Sequence, residues 1–359
     1  MGSPCASVVP VEHSAALTIG GTRTRYLSSI AKTRKARMTD TIPILDLSGY
    51  LAGEAGAASR LAAEINHASE TIGFYFIRNH GISQTLIDDT FAATEGFHAL
   101  PLEQKLALRI NHHMVGYLPM GGAKMRSSAV NNNTKHDLNE AFFVRRERAP
   151  NDPDVVSGKL WRGLNQWPDG MPNFRETVVS YWRRMEELGQ SLLPLYDIAL
   201  DMPPGFFRSR FEGAHINLRL SHYPPDLAAE ANQFGIAPHT DSGFMTFLPQ
   251  SAVPGLAIRT TEGKWIEVPP MPGTYLVNTG DILHQWTNGR YLSTPHRAIN
   301  RSASHRYAIP FFYDPNTDVT IECLPSCQRP DNPPRFPART FGEYYAWFIK
   351  MNYQHQSEA

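Results

Sequence analysis

The sequence predicts a mainly β protein with flanking helices, in which an antiparallel sandwich or barrel occupies the second half of the chain. Between residues 215 and 312, short apolar runs alternate with turn signals about every 8 to 12 residues, a pattern typical of folds built from short strands. Pairs such as Pro254-Gly255 and Asn288-Gly289 separate the runs. Upstream, apolar residues between Val178 and Ala199 recur at helical spacing, which predicts one long core helix.

Composition and charge exclude several classes of protein. The chain has 359 residues, of which 42% are hydrophobic and 19% charged, and its formal net charge is zero. It is long enough for one large core, and it lacks the basic field that a nucleic-acid partner would need. No run approaches the roughly 18 apolar residues of a membrane helix. Its three cysteines show no disulfide framework, which favours a reducing compartment such as the cytoplasm.

The first 40 residues differ in composition from the rest of the chain. Six basic residues and the single acid Glu12 fall before residue 39. The remaining chain has 34 − 6 = 28 basic and 34 − 1 = 33 acidic residues. We expect a flexible basic tail over residues 1–40, and two origins for it stay open. It resembles an organelle transit peptide in being rich in arginine and poor in acids, or it precedes a true start at Met38.

The next region, residues 41–170, is predicted to be an α/β unit. Ser83 is expected to cap the second of its two helices, and Gly73 is expected to end the first, since glycine readily adopts the conformation that terminates a helix. Residues 111–170 are rich in turn-forming residues and are predicted to be mostly loop. The predicted elements are a strand at 42–47, a helix at 57–72, a strand at 74–77 and a helix at 83–99.

The rest of the chain divides into three predicted segments. The long core helix belongs to residues 171–204, the strand-rich domain to residues 205–318, and a C-terminal segment with a helix near 340–351 to residues 319–359. The predicted strands are 217–223, 244–248, 256–259, 264–268, 274–278 and 307–312.

His239-Thr240-Asp241 is the motif that most directly suggests chemistry. On extended backbone, residues two apart point to the same face, so an imidazole and a carboxylate here can hold one ion. Alone the motif is weak, and it also fits a polar surface turn. His296 follows downstream, and two histidines with one carboxylate leave open positions on iron(II). Arg306 begins an apolar strand, where a buried guanidinium needs an anion as its partner.

Longer motifs join these residues into a recognisable set. With them, the chain resembles the isopenicillin N synthase-like branch of the iron(II)/2-oxoglutarate-dependent oxygenases, from about residue 42 to 315. The motifs are Ile42-Pro43-Ile44-Leu45-Asp46-Leu47, Gly73-Phe74-Tyr75-Phe76-Ile77-Arg78-Asn79-His80-Gly81-Ile82, Asn165-Gln166-Trp167-Pro168, Leu218-Arg219-Leu220-Ser221-His222-Tyr223-Pro224-Pro225, His239-Thr240-Asp241, Gly280-Asp281, Thr287-Asn288-Gly289 and His296-Arg297.

The resemblance implies a double-stranded β-helix (jelly-roll) core and roles for individual residues. His239, Asp241 and His296 match the iron ligands. Arg306 matches the arginine that pairs with the far carboxylate of 2-oxoglutarate, and Tyr223 matches a tyrosine whose hydroxyl reaches the same co-substrate.

Two departures from the family's pattern fall on this co-substrate site. The family usually has Arg-x-Ser, whereas this chain has Arg306-Tyr307-Ala308. It often has Asn-x-Tyr, whereas this chain has Ser221-His222-Tyr223.

The function implied by the resemblance is oxidation of a small organic substrate, by hydroxylation or desaturation, with Fe(II), O₂ and 2-oxoglutarate and with release of succinate and CO₂. Alternatives are an oxidase of the same fold that uses no 2-oxoglutarate, an ethylene- and succinate-forming enzyme, and a catalytically silent metal-binding module. We expect a cytoplasmic monomer or weak homo-oligomer without nucleic-acid or membrane partners. Residues 111–145 are expected to shape the substrate pocket.

Overall fold

The computed structural model describes residues 42–225, 230 and 232–353. The tail predicted over residues 1–40 therefore lies outside the described residues. Within the described part of the chain, no helix combines the length and apolar character needed to cross a bilayer.

Helices dominate the first half of the described chain and strands dominate the second. The first half contains β1 (Ile44–Asp46), α1 (Ser48–Leu51), α2 (Ala57–Thr71), β2 (Phe74–Arg78), α3 (Gln84–His98), α4 (Leu102–Ala107), β3 (Gly116–Leu118), β4 (Glu140–Val144), α5 (Pro153–Val156) and α6 (Phe174–Ala199). The second half contains α7 (Phe206–Arg210), β5 (His215–Tyr223), β6 (Ile236–His239), β7 (Met245–Leu248), β8 (Leu256–Arg259), β9 (Trp265–Val268), β10 (Thr274–Thr279), α8 (Asp281–Trp286), β11 (His296–Ala298), β12 (Arg306–Ala308), β13 (Phe311–Asp314), β14 (Thr320–Ile321), β15 (Arg339–Thr340) and α9 (Phe341–Asn352).

Two sheets form the centre of the molecule. The larger has the order β1-β2-β10-β7-β13-β5-β4-β3, with β12 also paired to β5, and the smaller has the order β6-β11-β8-β9. In both sheets the neighbouring strands run antiparallel, apart from the parallel pair β1–β2. The antiparallel sandwich predicted from the strand spacing is thus confirmed, and β14 with β15 adds a separate two-stranded ribbon.

The large sheet is covered on one face by helices and on the other by the small sheet. Helix α3 contacts β5 and β12, and α6 contacts β13. The stripe predicted on α6 is buried, including Val178, Trp182 and Met185. Between the sheets, Phe74 and Phe76 pack in one cluster with apolar residues of β8 and β9. Each large side chain buried in this way contributes about 1.5–3 kcal/mol, so both interfaces stabilise the frame around the site.

The structure differs from the predicted elements in several places. Strands β6 and β11 and helix α8 were not predicted. The strand expected at 307–312 is two strands, β12 and β13, which Ile309 and Pro310 separate, because proline has no N–H to donate to a ladder. Ser83 stands at the N-cap of α3, but its side chain makes no capping hydrogen bond. Gly73 ends α2 as predicted, with φ of +70°.

Strand β5 has two chemically different faces, and all nine of its residues are buried. Successive side chains of a strand point to opposite sides. On the helix-facing side, Nδ1 of His222 lies 2.8 Å from Oε1 of Glu140, and the His222 ring stacks on Tyr307 at 5.0 Å between centroids. On the opposite side, Arg219 and Tyr223 line an internal cavity. The polar contacts of the first face fix the register that aims the second face at the site.

Candidate metal and co-substrate site

His239, Asp241 and His296, here called the triad, converge between the two sheets. His239 is the last residue of β6 and His296 the first of β11, and the two are directly paired across the strands. Nε2 of His239 lies 3.7 Å from Oδ1 of Asp241, and Nε2 of His296 lies 3.6 Å from the same oxygen. All three side chains are buried, and their potential ligand atoms lie within 4.8 Å of one another. The structure therefore brings together the three residues selected from the sequence.

Backbone carbonyls orient both imidazoles of the triad. Nδ1 of His239 lies 2.8 Å from the carbonyl oxygen of Ala237, and Nδ1 of His296 lies 3.2 Å from that of Thr294. A ring nitrogen facing a carbonyl must carry the proton, so the lone pair is on Nε2, the nitrogen turned towards Asp241. Burial, together with the nearby His296, lowers the pKa of His239 to about 3. A neutral ring with a free Nε2 is the form that binds a metal.

Two side chains that sequence reasoning missed hold the Asp241 carboxylate. Its Oδ2 accepts hydrogen bonds from Oγ1 of Thr246 at 2.6 Å and from Nδ2 of Asn278 at 2.7 Å. Burial by itself raises the pKa of Asp241, but the two imidazoles and these donors outweigh burial and lower it. The carboxylate is thus held ionised, with Oδ1 directed at the histidines. Thr246 and Asn278 both lie on predicted strands, but nothing in the sequence indicated which carboxylate they would contact.

We expect Asn278→Ala to weaken iron(II) affinity by about tenfold, because hydrogen-bond partners of ligating carboxylates typically contribute 10- to 100-fold to metal affinity. Thr246 would still hold Oδ2, which keeps the effect at the lower end. Iron(II) titration by calorimetry under anaerobic conditions measures the change. Asn165→Ala is a matched control, because that amide bonds to Arg145 and Glu147 instead. Equal iron affinity in the Asn278 variant and wild type would show that this bond does not tune the site.

Arg306 and Tyr223 lie side by side on paired strands, near the triad. They are direct partners in the β12–β5 pair, and the Arg306 guanidinium carbon lies 4.7 Å from the centre of the Tyr223 ring. Arg306 is buried, and its Nε and Nη1 have no hydrogen-bond partner among the residues that the structure describes. Burial lowers the pKa of Arg306. A buried guanidinium with unused donors is costly without an anion, so this arrangement fits a ligand carboxylate.

Two cavities meet at the triad. One, of about 60 Å³, contains all three triad residues together with Tyr223 and Arg306. The other, of about 40 Å³, shares His239 and Asp241 with the first and extends towards the C-terminal helix α9. Sequence reasoning expected residues 111–145 to shape a pocket, but Met125 is the one residue of that range among the lining of the second cavity. Half of that lining comes from β5, β13 and α9. Its lining includes Met125, Asn217, Arg219, Phe312, Asp314, Tyr345, Phe348 and Tyr353.

A second histidine–carboxylate group, His98, Glu140 and His222, also has spacing compatible with a metal. It lies on the helix-facing side of β5. The Nζ of Lys105 is 2.9 Å from Oε2 of Glu140, and the hydroxyl of Tyr117 donates to the same oxygen. The ammonium already balances the carboxylate charge, so this group has less electrostatic attraction for a cation than the triad. We interpret it as a structural polar network.

Comparisons with known proteins place the chain in a family. Residues 42–170 match the family described as non-haem dioxygenase in morphine synthesis N-terminal, and residues 214–315 match the 2OG-Fe(II) oxygenase superfamily. The 2-oxoglutarate-Fe(II) type oxidoreductase hxnY of Emericella nidulans is 34% identical over 317 residues, 87% of this chain and 90% of that protein.

Solved structures share the fold. A full-length Neurospora crassa protein, solved in complex with alpha-KG and thymine, has a TM-score of 0.75 and 24% identity, covering 86% of this chain and 96% of that one. A putative 2OG-Fe(II) oxygenase family protein from Caulobacter crescentus has a TM-score of 0.74 and 27% identity, covering 87% and 99%. The predicted jelly-roll core is confirmed, and from both the sequence and the structural matches we conclude that the chain belongs to the 2OG-Fe(II) oxygenase superfamily.

Proposed function

We propose that His239, Asp241 and His296 bind the iron of this iron(II)- and 2-oxoglutarate-dependent dioxygenase, and that Arg306 and Tyr223 hold the far carboxylate of 2-oxoglutarate. The observation that carries the proposal is the buried Arg306 guanidinium, which has unused donors in the same cavity as the triad. An arginine fork matches a carboxylate in geometry and charge.

Each residue has a distinct task in this proposal. The bound iron supplies oxygen activation, which protein side chains cannot perform. The triad offers two imidazole nitrogens and one carboxylate oxygen, a donor set suited to iron(II) with open positions. Arg306 fixes the far end of the co-substrate, and Tyr223 packs against the guanidinium. Burial of all five side chains keeps bulk water away from these charged contacts, which strengthens them.

The lining of the second cavity is suited to a small substrate that can form hydrogen bonds. Oδ1 of Asn217 and Nε of Arg219 are buried there without a partner among the described residues. Burial raises the pKa of Asp314, on the same wall, to about 7, so this carboxyl can donate or accept near neutral pH. Aromatic side chains, among them Tyr345 and Phe348, complete the wall. We propose hydroxylation or desaturation of a compact, polar molecule bound between these groups.

The test is the dependence of oxygen uptake on 2-oxoglutarate. We expect the iron-loaded protein to consume oxygen only when 2-oxoglutarate is present, and to release succinate in proportion. Small polar metabolites that fit the second cavity should accelerate succinate release. Undiminished oxygen uptake without 2-oxoglutarate would favour the oxidase alternative. Ethylene in the headspace would favour the ethylene-forming enzyme. No oxygen uptake in the presence of iron and 2-oxoglutarate would favour a silent module.

We also propose that the protein resides in the cytoplasm and works as a monomer or weak homo-oligomer. Cys323 and Cys327 are free thiols, which supports a reducing compartment. This one chain supplies the triad, Arg306 and Tyr223, which is compatible with a monomer. The zero net charge gives no support to a nucleic-acid partner.

A further inference from the structure

The hydroxyl of Ser221 is buried and unpaired in the part of the chain that the structure describes. The residue as a whole is fully buried. Its direct neighbours across the two adjoining strands are Ala141 and Ala308, whose methyl groups cannot accept or donate. A buried hydroxyl without a partner is destabilising, and this one lies on β5 between Arg219 and Tyr223, which line the triad cavity.

The direction of the Ser221 side chain is set by strand alternation. Tyr223 and Arg219, two residues to either side of it, both line the cavity that contains the triad. His222, between Ser221 and Tyr223, points to the other face and bonds to Glu140. Because residues two apart on a strand share a face, Ser221 lies on the same side of β5 as Tyr223, and its cross-strand partner Ala308 lines that cavity.

Ser221 lies directly opposite residue 308, where this chain departs from the family's pattern. In proteins that the chain resembles, the residue two after the arginine is usually serine, and here it is Ala308. Ser221 and Ala308 are direct cross-strand partners, and the Cβ atoms of such partners are about 4.5–5.5 Å apart. The two positions are therefore adjacent, and each lies two residues along its strand from the Arg306–Tyr223 pair.

We propose that the Ser221 hydroxyl donates a hydrogen bond to the far carboxylate of 2-oxoglutarate, in place of the hydroxyl that position 308 lacks. This inference rests on the co-substrate site proposed above. Ser221 is then a binding residue for the co-substrate, alongside Arg306 and Tyr223. The hydroxyl is supplied by β5 instead of the neighbouring strand β12.

The test measures 2-oxoglutarate binding to the iron-loaded protein by calorimetry without oxygen. We expect Ser221→Ala to weaken binding by about tenfold, the effect of one hydrogen bond to a charged group. Adding Ala308→Ser to that variant should return the affinity to within about threefold of wild type. Ser69→Ala is the matched control, because Ser69 is also fully buried and unpartnered among the described residues but lies on α2, and it should leave binding unchanged.

A second ligand separates this inference from the site on which it rests. 2-Oxobutyrate keeps the metal-binding 2-oxo acid but has no far carboxylate, so Ser221→Ala should not change its affinity. An unchanged 2-oxoglutarate affinity in Ser221→Ala, equal losses for both ligands, or a double variant as weak as the single one would overturn the role of Ser221. Wild-type protein that binds iron but not 2-oxoglutarate would instead contradict the co-substrate site itself.

Discussion

Replacing His296 with alanine should lower iron(II) affinity and turnover by more than about 100-fold in a protein that still folds. Deletion of a direct ligand should exceed the 10- to 100-fold typical of side chains that only contact a ligand. Nε2 of His296 lies 3.6 Å from Oδ1 of Asp241, and His239, the other histidine of the triad, supplies a separate ligand atom and cannot replace it. Metal content after anaerobic loading, oxygen uptake and the melting temperature are the measurements, and His239→Ala and Asp241→Ala should behave alike.

The second histidine–carboxylate group provides the control for this prediction. His98→Gln alters the network around Glu140, on the other face of β5, while keeping a side chain that can bond to the carbonyl of Leu220, 3.0 Å from Nε2 of His98. It should retain full iron content. If the His98 variant lost the iron and the His296 variant kept it, the two groups would have to exchange roles.

Replacing Arg306 with methionine should weaken 2-oxoglutarate binding by more than about 100-fold while iron binding stays near wild type. Removing one partner of a buried, hydrogen-bonded charge pair costs about 2–5 kcal/mol, and each 1.4 kcal/mol is a factor of ten. Methionine keeps much of the side-chain length, so the loss reports charge and hydrogen bonds more than packing. Calorimetry with 2-oxoglutarate and with iron(II), each measured separately, checks both halves of the expectation.

Arg297→Met is the matched control for the arginine variant. Arg297 lies on β11 directly after His296, but its guanidinium carbon is 4.2 Å from the centre of the Trp265 ring, and it lines a different cavity. It should bind 2-oxoglutarate as wild type does. Equal affinities in the Arg306 variant and wild type would remove Arg306 from the co-substrate site and reopen a role for it in binding substrate.

Patterns that span many residues were predicted well from the sequence. The stripe on α6 repeats one helical period over enough residues to be recognised, and the apolar runs of β8 and β10 each follow a Pro-Gly turn signal. Strands β6 and β11, which carry the two histidines, were missed. Pro238 within β6 argues against a strand by its missing N–H, and β11 is only three residues long. Pairing with neighbouring strands, which one sequence does not show, is what makes these segments extended.

The side chains of the site also fall into those that could be selected from the sequence and those that only the structure reveals. The triad and Arg306 could be selected because a histidine pair, a carboxylate and a cation entering an apolar strand each imply a chemical requirement. Thr246, Asn278 and Arg219 are ordinary polar residues on strands, and their importance comes from contacts that only the folded chain creates. The polar group around Glu140 was missed for this reason too, since α3, β4 and β5 bring its members together from distant parts of the sequence.

The two faces of β5 have a consequence for redesigning the enzyme. The contacts that hold this strand in register come from His222 and its neighbours on the helix side, whereas Asn217, Arg219 and Ser221 point into the interior. Substrate selectivity could therefore be altered by randomising Asn217 and Arg219, which line the second cavity, while Ser221 and every outward residue are kept. The outward residues would keep β5 in place while the inward residues change. Variants that accept other substrates could then be selected by laboratory evolution.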